Sequence, residues 1–165
     1  MKTLSSIIVI AILIPATAFS KIWTVSQRPG ANFSTLSAAV ASGSVLSGDT
    51  ILVSGAPAVY SSVSLSKRLT IFGPGFFLNE NTGLQADTNS AKIAGLTFNA
   101  TSQGSHIMGL QFTSVVTINA DNITVSRCRF ESVSASVDLM TVNAQDSIVI
   151  QQCYLRLTSA SAFRG

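Results

Sequence analysis

The chain has 165 residues, enough for one domain with a buried core, and its ten basic and seven acidic residues give a formal charge of +3 at pH 7. Charged residues make up only 10% of the sequence, against roughly 25% in typical soluble domains. Because these charges form no run or basic patch, the sequence argues against nucleic-acid binding. Serine, threonine and asparagine supply the polarity instead, which suits short strands with small polar outer faces.

Residues 1–20 have the features of a secretory signal peptide. Lys2 supplies a positive start, an apolar run follows from Ile7 to Ile14, and Pro15 ends that run before small residues suited to cleavage. The run is shorter than the roughly 20 residues that a membrane-spanning helix needs. We therefore predict a secreted or cell-surface protein with no membrane span after signal removal. A retained anchor or a buried first strand is the alternative.

Residues 21–48 are predicted to form a short strand, from Trp23 to Val25, and then a capping helix. Asn32 or Ser34 can cap a helix that begins near Phe33. The apolar face of this helix would comprise Phe33, Leu36, Ala39 and Val40. A small amphipathic helix at this place would cover the open end of a stack of strands and block its exposed edge.

Residues 49–165 contain a repeat that begins with an Asn-Ala pair. The three pairs start at Asn99, Asn119 and Asn143, which are 20 and 24 residues apart. Each pair is followed by an isoleucine and two further apolar positions. These residues are Ile107, Leu110 and Phe112 in the first copy, Ile123, Cys128 and Phe130 in the second, and Ile148, Cys153 and Leu155 in the third. Such a period marks a solenoid, in which a turn buries its apolar side only by stacking.

The pattern within each repeat predicts strands and corners. Ile123 and Val125 share one face and Thr124 takes the other, since side chains alternate along a strand. The three asparagines are expected to stack at one corner, because asparagine tolerates left-handed backbone and can form a side-chain ladder. We therefore predict an all-β, right-handed parallel β-helix with a short N-terminal capping helix. A β-sandwich with chance similarity is the alternative.

The segment from Trp23 to Phe77 resembles a known class of proteins. Its stretches FSTLSAAVAS, GDTILVSGAPAVY and LSKRLTIFGPG together look like the N-terminal region of secreted pectin-lyase-like right-handed parallel β-helix proteins. The resemblance implies that fold, whereas the class contains polysaccharide lyases, hydrolases, esterases and members without known activity. This segment is expected to form an earlier turn, with Ser66 near the asparagine corner. Leu69, Ile71 and Phe76 would then occupy the places later taken by Ile148, Ile150 and Leu155.

The acidic residues give little support for catalysis. The resemblance implies that a lyase would carry an acidic cluster, often holding calcium, with an arginine or lysine base, whereas a hydrolase needs a carboxylate pair. The chain has no Asp/Glu doublet. Asp121 and Asp146 lie near one corner in successive turns, where turn formation is favoured over calcium binding, since calcium takes six to eight oxygens. We predict no catalytic site, metal or cofactor in this segment; calcium is expected only if the chain is part of a lyase.

The outer face of the last strand of each repeat is the candidate binding surface. The residues predicted to point outward are Gln111, Arg129 and Tyr154 in one row, with Thr113, Glu131 and Arg156 beside them. The arginines can form bidentate bonds with acidic sugars, and the tyrosine can stack on a sugar ring. A solvated face held by an arginine–glutamate–arginine charge pattern is the alternative.

The two cysteines and the single histidine are expected to be structural. Cys128 and Cys153 fall at equivalent inward positions, and buried free thiols are favoured over a strained disulfide because stacked side chains point the same way. His106 is expected in a turn, and no catalytic triad is indicated.

These features predict a secreted parallel β-helix module that is structural or binds glycans. The alternative is the N-terminal part of a polysaccharide lyase or glycoside hydrolase that acts on acidic polysaccharides such as pectin. No closing helix follows the last repeat before Arg164 and Gly165. We therefore expect the coils to continue beyond this sequence, or the uncapped end to dock on a partner or associate with a second copy.

Overall fold

The computed structural model describes residues 20–80, 83, 87–132, 139–143 and 145–157, so nearly all of the predicted signal peptide lies outside the described residues. Within them the chain forms fourteen strands, the α-helix α1 (Leu36–Ala41) and two 3-10 helices, Leu78–Glu80 and Ala100–Ser102. The strands are β1 (Ile22–Val25), β2 (Thr50–Val53), β3 (Val63–Leu65), β4 (Thr70–Phe72), β5 (Lys92–Ile93), β6 (Leu96–Phe98), β7 (His106–Met108), β8 (Gln111–Phe112), β9 (Val116–Ile118), β10 (Thr124–Ser126), β11 (Arg129–Ser132), β12 (Met140–Val142), β13 (Val149–Gln151) and β14 (Tyr154–Leu157).

The strands form three parallel sheets. Sheet A has the order β1-β2-β4-β7-β10-β13, sheet B the order β5-β8-β11-β14, and sheet C the order β3-β6-β9-β12. From β4 onward the chain visits sheets A, B and C in that cyclic order until β14. The prediction of an all-β protein is confirmed, and its strands pair in parallel.

The core is shared by all three sheets. Ile118 of sheet C, Val125 of sheet A and Phe130 of sheet B are buried in one hydrophobic cluster. The alternation predicted around β10 is confirmed, since Ile123 and Val125 are fully buried and Thr124 is half-exposed. Short strands with period-two alternation therefore bury one face each, and the turns stabilise one another through this common core.

The strand register confirms which residues are equivalent at the end of each predicted repeat, but it contradicts one predicted equivalence in the middle. Phe130 pairs with Phe112 and with Leu155, as the pattern predicts. Ile107, however, pairs with Val125, so its predicted equivalence to Ile123 is wrong by two residues. The corner between Asn99 and β7 is longer than the corner between Asn119 and β10 because it contains a 3-10 helix.

Two further expectations near the N-terminus are wrong in detail. The N-cap of α1 is Thr35, whose side chain accepts the Ala38 N–H, so neither Asn32 nor Ser34 caps the helix and Phe33 precedes it. Three residues of the predicted apolar face are nevertheless buried, namely Leu36, Ala39 and Val40.

The predicted equivalence of Ile71 and Ile150 is confirmed, because Ile71 pairs with Ile107, Ile107 with Val125, and Val125 with Ile150.

The place predicted for Phe76 belongs to another residue. Ile93 pairs with Phe112, which is in register with Phe130 and Leu155, so Ile93 fills the inward position of sheet B in this turn. Phe76 instead packs on the outside of sheet B. The segment between β4 and β5 is much longer than the later connections, and a pattern of apolar residues cannot show which of its members returns to the core.

Helix α1 is fastened to the end of β3 by one ammonium group. Lys67 Nζ donates to the carbonyl oxygens of Val40, Ser42 and Val45 at 3.2, 2.8 and 2.9 Å. Carbonyls at the C-terminal end of a helix lack partners within the helix, and a positive charge there also interacts favourably with the helix dipole. Lys67 thus binds one carbonyl of the last turn of α1, the carbonyl of its C-cap residue and one carbonyl of the loop that follows.

Asp49 holds the first strand in place by accepting hydrogen bonds, whereas Lys67 donates them. Its carboxylate accepts the backbone N–H groups of Lys21 and Leu46, each at 2.9 Å, and the Trp23 indole N–H at 2.8 Å. Burial alone would raise the pKa of this carboxyl, but the three hydrogen bonds and the nearby Lys21 charge outweigh it and hold the pKa below its usual 3.8. Asp49 is therefore charged in the folded protein although it is only 3% exposed.

We expect Lys67→Met to lower the free energy of unfolding by about 2 kcal/mol, because three carbonyls lose a charged donor. Urea unfolding followed by the fluorescence of Trp23, the single tryptophan, measures this change. Lys92→Met is the matched control, since no ion pair reaches Lys92 within the described part of the chain. Equal effects of the two substitutions would contradict the fastening role of Lys67.

We expect Asp49→Asn to cost about 2 kcal/mol near neutral pH and to flatten the acid dependence of stability. The folded pKa is depressed, so the stabilisation by the carboxylate is present above the unfolded value of 3.8 and is lost as pH falls through the folded value. Unfolding free energies measured between about pH 6 and pH 2 test this. The control is Asp146→Asn, which alters an exposed carboxylate; a parallel acid dependence for Asp49→Asn and the unmodified chain would disprove the role.

Candidate functional site

The outward side chains of sheet B form one continuous row. Lys92 pairs with Gln111, Gln111 with Arg129, and Arg129 with Tyr154. Adjacent strands are about 4.8 Å apart, so the row spans about 14 Å. Gln111, Arg129 and Tyr154 were predicted to share this row. Lys92 was missed, although Lys92-Ile93 repeats the outward–inward order of Gln111-Phe112.

Glu131 binds three side chains of this surface. Its carboxylate forms an ion pair with Arg129, lies 3.6 Å from Arg156 Nη1, and accepts a hydrogen bond of 2.7 Å from Gln111 Nε2. The arginine–glutamate–arginine pattern therefore exists in the structure. Since one carboxylate serves two guanidinium groups, the surface keeps a net positive charge.

Arg129 also lies against two aromatic rings. Its guanidinium carbon is 4.4 Å from the Phe77 ring centre and 5.5 Å from the Tyr154 ring centre. The two rings meet edge to face at 4.9 Å, and Phe76 packs on Phe77 at 5.0 Å. Tyr154 remains 39% exposed. Stacking and the ion pair together fix the orientation of the guanidinium.

A close approach of two backbones brings these phenylalanines over sheet B. Gly73 N donates to Met108 O at 2.8 Å, and Gly75 N donates to Gly109 O at 2.9 Å. A Cβ atom at Gly73 would lie 2.4 Å from Gly109 O, so any larger residue would push the two segments apart. The Gly-Pro-Gly bend is visible in the sequence, but its contact with Gly109 is not.

A polar cleft of about 410 Å³ opens beside this row. Lys92, Gln111, Arg129 and Glu131 of sheet B line it, together with Asn79 and residues 88–90. Lys92 makes no ion pair within the described residues, and Arg129 Nε is buried without a hydrogen-bond partner there. The cleft therefore offers the Lys92 ammonium, which has no ion pair among the described residues, beside amide groups.

The predicted binding residues divide into two groups. Gln111, Arg129 and Glu131 line the cleft. Tyr154 and Arg156 belong to the next strand and reach the cleft only through their contacts with Arg129 and Glu131. Of the residues that the sequence did not reveal, Lys92 lies in β5, whereas Phe77 and Asn79 come from the long connection after β4.

The asparagine corner contains side-chain hydrogen bonds. Asn143 Nδ2 donates to Asn119 Oδ1 at 2.6 Å, and Asn99 Nδ2 donates to Ser66 Oγ at 3.1 Å. None of these three asparagines has a positive φ, so the expectation of left-handed backbone at these positions is wrong. Each follows the last residue of a strand in sheet C.

His106 lies in strand β7, so its predicted place in a turn is wrong. Its Nε2 is 2.9 Å from Ser126 Oγ, and its ring meets Phe72 edge to face at 6.0 Å. Ser126 is only 4% exposed. A nucleophile must reach its substrate, and this serine is covered, so the pair stabilises neighbouring strands.

The acidic pair at the corner has a structural contact. Asp121 Oδ1 accepts the backbone N–H of Asp146 at 2.9 Å. Across the described ranges, no three histidine, cysteine, aspartate or glutamate side chains are grouped so that they could hold a metal ion.

Both cysteines are free thiols on adjacent strands. Cys128 is fully buried and donates to Ser126 O, whereas Cys153, on the last turn, is only partly buried. Burial raises the pKa of the Cys128 thiol to about 12. Burial also raises the pKa of Cys153. The thiolate is the reactive form, so both groups are poor nucleophiles at neutral pH.

Comparison of the chain with models of protein families finds no match. Curated proteins and solved structures give no significant match either. No helix in the described part of the chain is long and apolar enough to cross a bilayer. The likeness to pectin-lyase-like proteins therefore comes from the N-terminal motifs of the sequence alone.

We expect iodoacetamide at about pH 8 to modify Cys153 at least tenfold faster than Cys128 in the folded chain, because Cys128 is inaccessible and its pKa is far higher than that pH. Mass spectrometry of tryptic peptides over time measures both rates. Unfolding in guanidinium chloride is the control, in which the two rates should become similar. Equal rates in the folded chain would contradict the packing at Cys128.

Proposed function

We propose that this chain is an extracellular module of the pectin-lyase-like class that binds acidic glycans in the cleft beside sheet B. Its coils would wind as a right-handed parallel β-helix. Secretion follows from the features of residues 1–20, and the class follows from the N-terminal motifs. The observation that carries the binding function is the polar cleft in which Lys92, which makes no ion pair among the described residues, lies beside the amide groups of Asn79, Asn89 and Gln111.

Three properties of the sheets support the β-helical winding. All the strand pairs are parallel, the chain visits the three sheets cyclically from β4 to β14, and equivalent residues of successive turns lie in register. A parallel strand can follow another only through a crossover, and crossovers of this type are nearly always right-handed. A β-sandwich would instead require antiparallel neighbours.

The chemistry of the cleft favours a sugar with carboxylate groups. Among the described residues that line it, Lys92 and Arg129 supply two positive charges against the single negative charge of Glu131, which leaves a balance of 2 − 1 = +1. Amide groups of Gln111 and Asn79 supply donors and acceptors for hydroxyls. The exposed Tyr154 ring at the end of the row offers an apolar surface of the kind on which sugar rings stack.

The backbone at Phe77 supports a functional role for the aromatic cluster. Phe77 has a φ of 57°, which is a costly conformation for a bulky residue, of order 1–3 kcal/mol. In this conformation the Phe77 ring lies over the Arg129 guanidinium. Strained residues of this type are concentrated at binding and catalytic sites, where the surrounding structure holds them.

Binding is favoured over hydrolysis by the state of Glu131. Among the described residues that line the cleft, it is the one carboxylate, and it is engaged by Arg129, Arg156 and Gln111. Glycoside hydrolysis requires two carboxyl groups about 5–10 Å apart, one of them protonated. A single carboxylate held by two guanidinium groups serves to position cations.

We expect the chain to bind polygalacturonate and to bind fully methyl-esterified pectin at least tenfold more weakly, because the ester removes the charges that Lys92 and Arg129 would recognise. Isothermal titration calorimetry against both polymers measures the difference. The affinity for polygalacturonate should fall as salt rises, since partly exposed charges are screened.

Lys92→Gln should weaken polygalacturonate binding about tenfold, and Tyr154→Ala should weaken it by a similar factor. The matched control is Arg68→Gln, which removes one exposed positive charge at the corner before β4, away from the cleft. Equal affinity for the two polymers, or equal losses from Lys92→Gln and Arg68→Gln, would disprove the proposed site.

A further inference from the structure

Three asparagines of the chain lie in the Asn-x-Ser/Thr pattern that oligosaccharyltransferases recognise. They are Asn32, followed by Ser34, Asn99, followed by Thr101, and Asn122, followed by Thr124. An attached glycan is bulky and hydrophilic, so the folded chain accommodates it only where the asparagine side chain faces open solvent. The surroundings of each amide therefore distinguish the three positions.

The amides of Asn32 and Asn99 already bind neighbouring groups. Asn32 Oδ1 accepts the backbone N–H and the hydroxyl of Thr24, each at 2.9 Å, which fixes the plane of the amide. Asn99 is half-buried, and its Nδ2, the atom that would carry the sugar, donates to Ser66 Oγ at 3.1 Å. By strand register, Ser66 and Asn119 flank Asn99 in the adjacent turns, so a glycan there would have to fit between two side chains.

Asn122 differs because its side chain is exposed and forms no hydrogen bond with any described residue. Its backbone is nevertheless fixed, since its N–H donates to Asp146 O at 3.0 Å. Its φ of 56° is left-handed, a conformation that asparagine tolerates better than most other non-glycine residues. The corner thus presents this amide to solvent without using it.

The neighbouring turns leave room for a glycan at Asn122. By strand register its equivalents in the turns before and after it are Gly104 and Ser147, both exposed, of which one has no side chain and the other a small one. Ile123 is fully buried, whereas Thr124 is half-exposed on the outer face of β10. The asparagine and the threonine of the pattern therefore lie on the solvent side of one corner.

We propose that Asn122 is an N-glycosylation site whose glycan stands at the corner between sheets C and A. The proposal goes beyond glycan binding but rests on the secretion that the proposed function includes, because the sugar donor and its transferase lie in the secretory pathway. Asn122 Nδ2 forms a bond to the anomeric carbon of the first sugar of a polyprenyl-diphosphate oligosaccharide. The bond from that carbon to the diphosphate breaks, the polyprenyl diphosphate keeps the electron pair, and Nδ2 gives up one proton.

The first test maps the sugar on the chain secreted by a eukaryotic cell. A signal peptide of known function replaces residues 1–20, so that entry into the secretory pathway does not depend on the proposed signal. Chymotrypsin, which cleaves after Phe112, places Asn99 and Asn122 on separate peptides. Release of the glycan by peptide N-glycosidase in heavy-oxygen water should leave a labelled aspartate at position 122 in most molecules. An unlabelled Asn122 overturns the proposal, whether or not another asparagine is labelled.

The second test uses matched changes at Thr124, which leave Asn122 in place. Thr124→Val keeps the branched shape that suits a strand and removes the hydroxyl that the transferase requires, so the secreted chain should lose the mass of one glycan. Thr124→Ser keeps the hydroxyl and should keep the glycan. Asn122→Gln should lose the same mass as Thr124→Val. Equal masses of the Thr124→Val and Thr124→Ser chains, or an Asn122→Gln chain that loses no glycan, contradict the assignment.

Two measurements separate this site from the proposed function. Retention inside the cell of the chain with its own residues 1–20 contradicts the proposed secretion, whereas an unlabelled Asn122 behind the substitute signal contradicts the acceptor site alone. Asn122→Gln should bind polygalacturonate with unchanged affinity, because Asn122 does not line the cleft beside sheet B. A tenfold change in that affinity would contradict the placement of the glycan away from the cleft.

Discussion

The parallel register between successive turns is the constraint on which the rest of the structure depends. Strands of two to four residues are too short to be stable alone, so each is held by its neighbours in the turn before it, the turn after it, or both. The same register aligns side chains on both faces of a sheet. Ile71, Ile107 and Val125 thereby form an inward row, and the outward row of sheet B forms by the same pairing. Core and candidate site are thus two consequences of one hydrogen-bond pattern.

The N-terminal end of this stack shows where a weakly charged chain uses its charges. Helices and edge strands leave backbone groups without partners, and unpaired groups are costly when they are buried. Asp49 accepts N–H groups of residues that precede β1 and β2, and Lys67 donates to carbonyls at the end of α1 and in the loop after it. Each charged side chain satisfies several backbone groups at once, which small polar side chains cannot do. This explains why these positions carry charge in a sequence otherwise dominated by serine and threonine.

The sequence predicts the inward rows well because period-two alternation acts locally. It also predicts that Asn99, Asn119 and Asn143 end successive strands, since their spacing reflects whole turns. Corner lengths are not predictable in this way. Left-handed backbone occurs at Gly104, Asn122 and Ser147, which are equivalent by register yet share no residue type. The contribution of Phe77 could not be foreseen either, because it depends on the contact of Gly73 with Gly109, two segments far apart in the chain.

Parallel register brings equivalent side chains of adjacent strands close together, so like charges in one row would repel. The order of side chains along sheet B keeps its cations apart. Two cations on adjacent strands, about 4.8 Å apart, would repel by about 3 kcal/mol at an effective dielectric constant of 20. Gln111 separates Lys92 from Arg129, and Tyr154 follows Arg129 on the other side. Glu131 then offsets the arginines but does not reach Lys92. The arrangement relieves repulsion within the row and leaves the Lys92 ammonium at the cleft without an ion pair among the described residues, and an anionic ligand is the partner that would neutralise it.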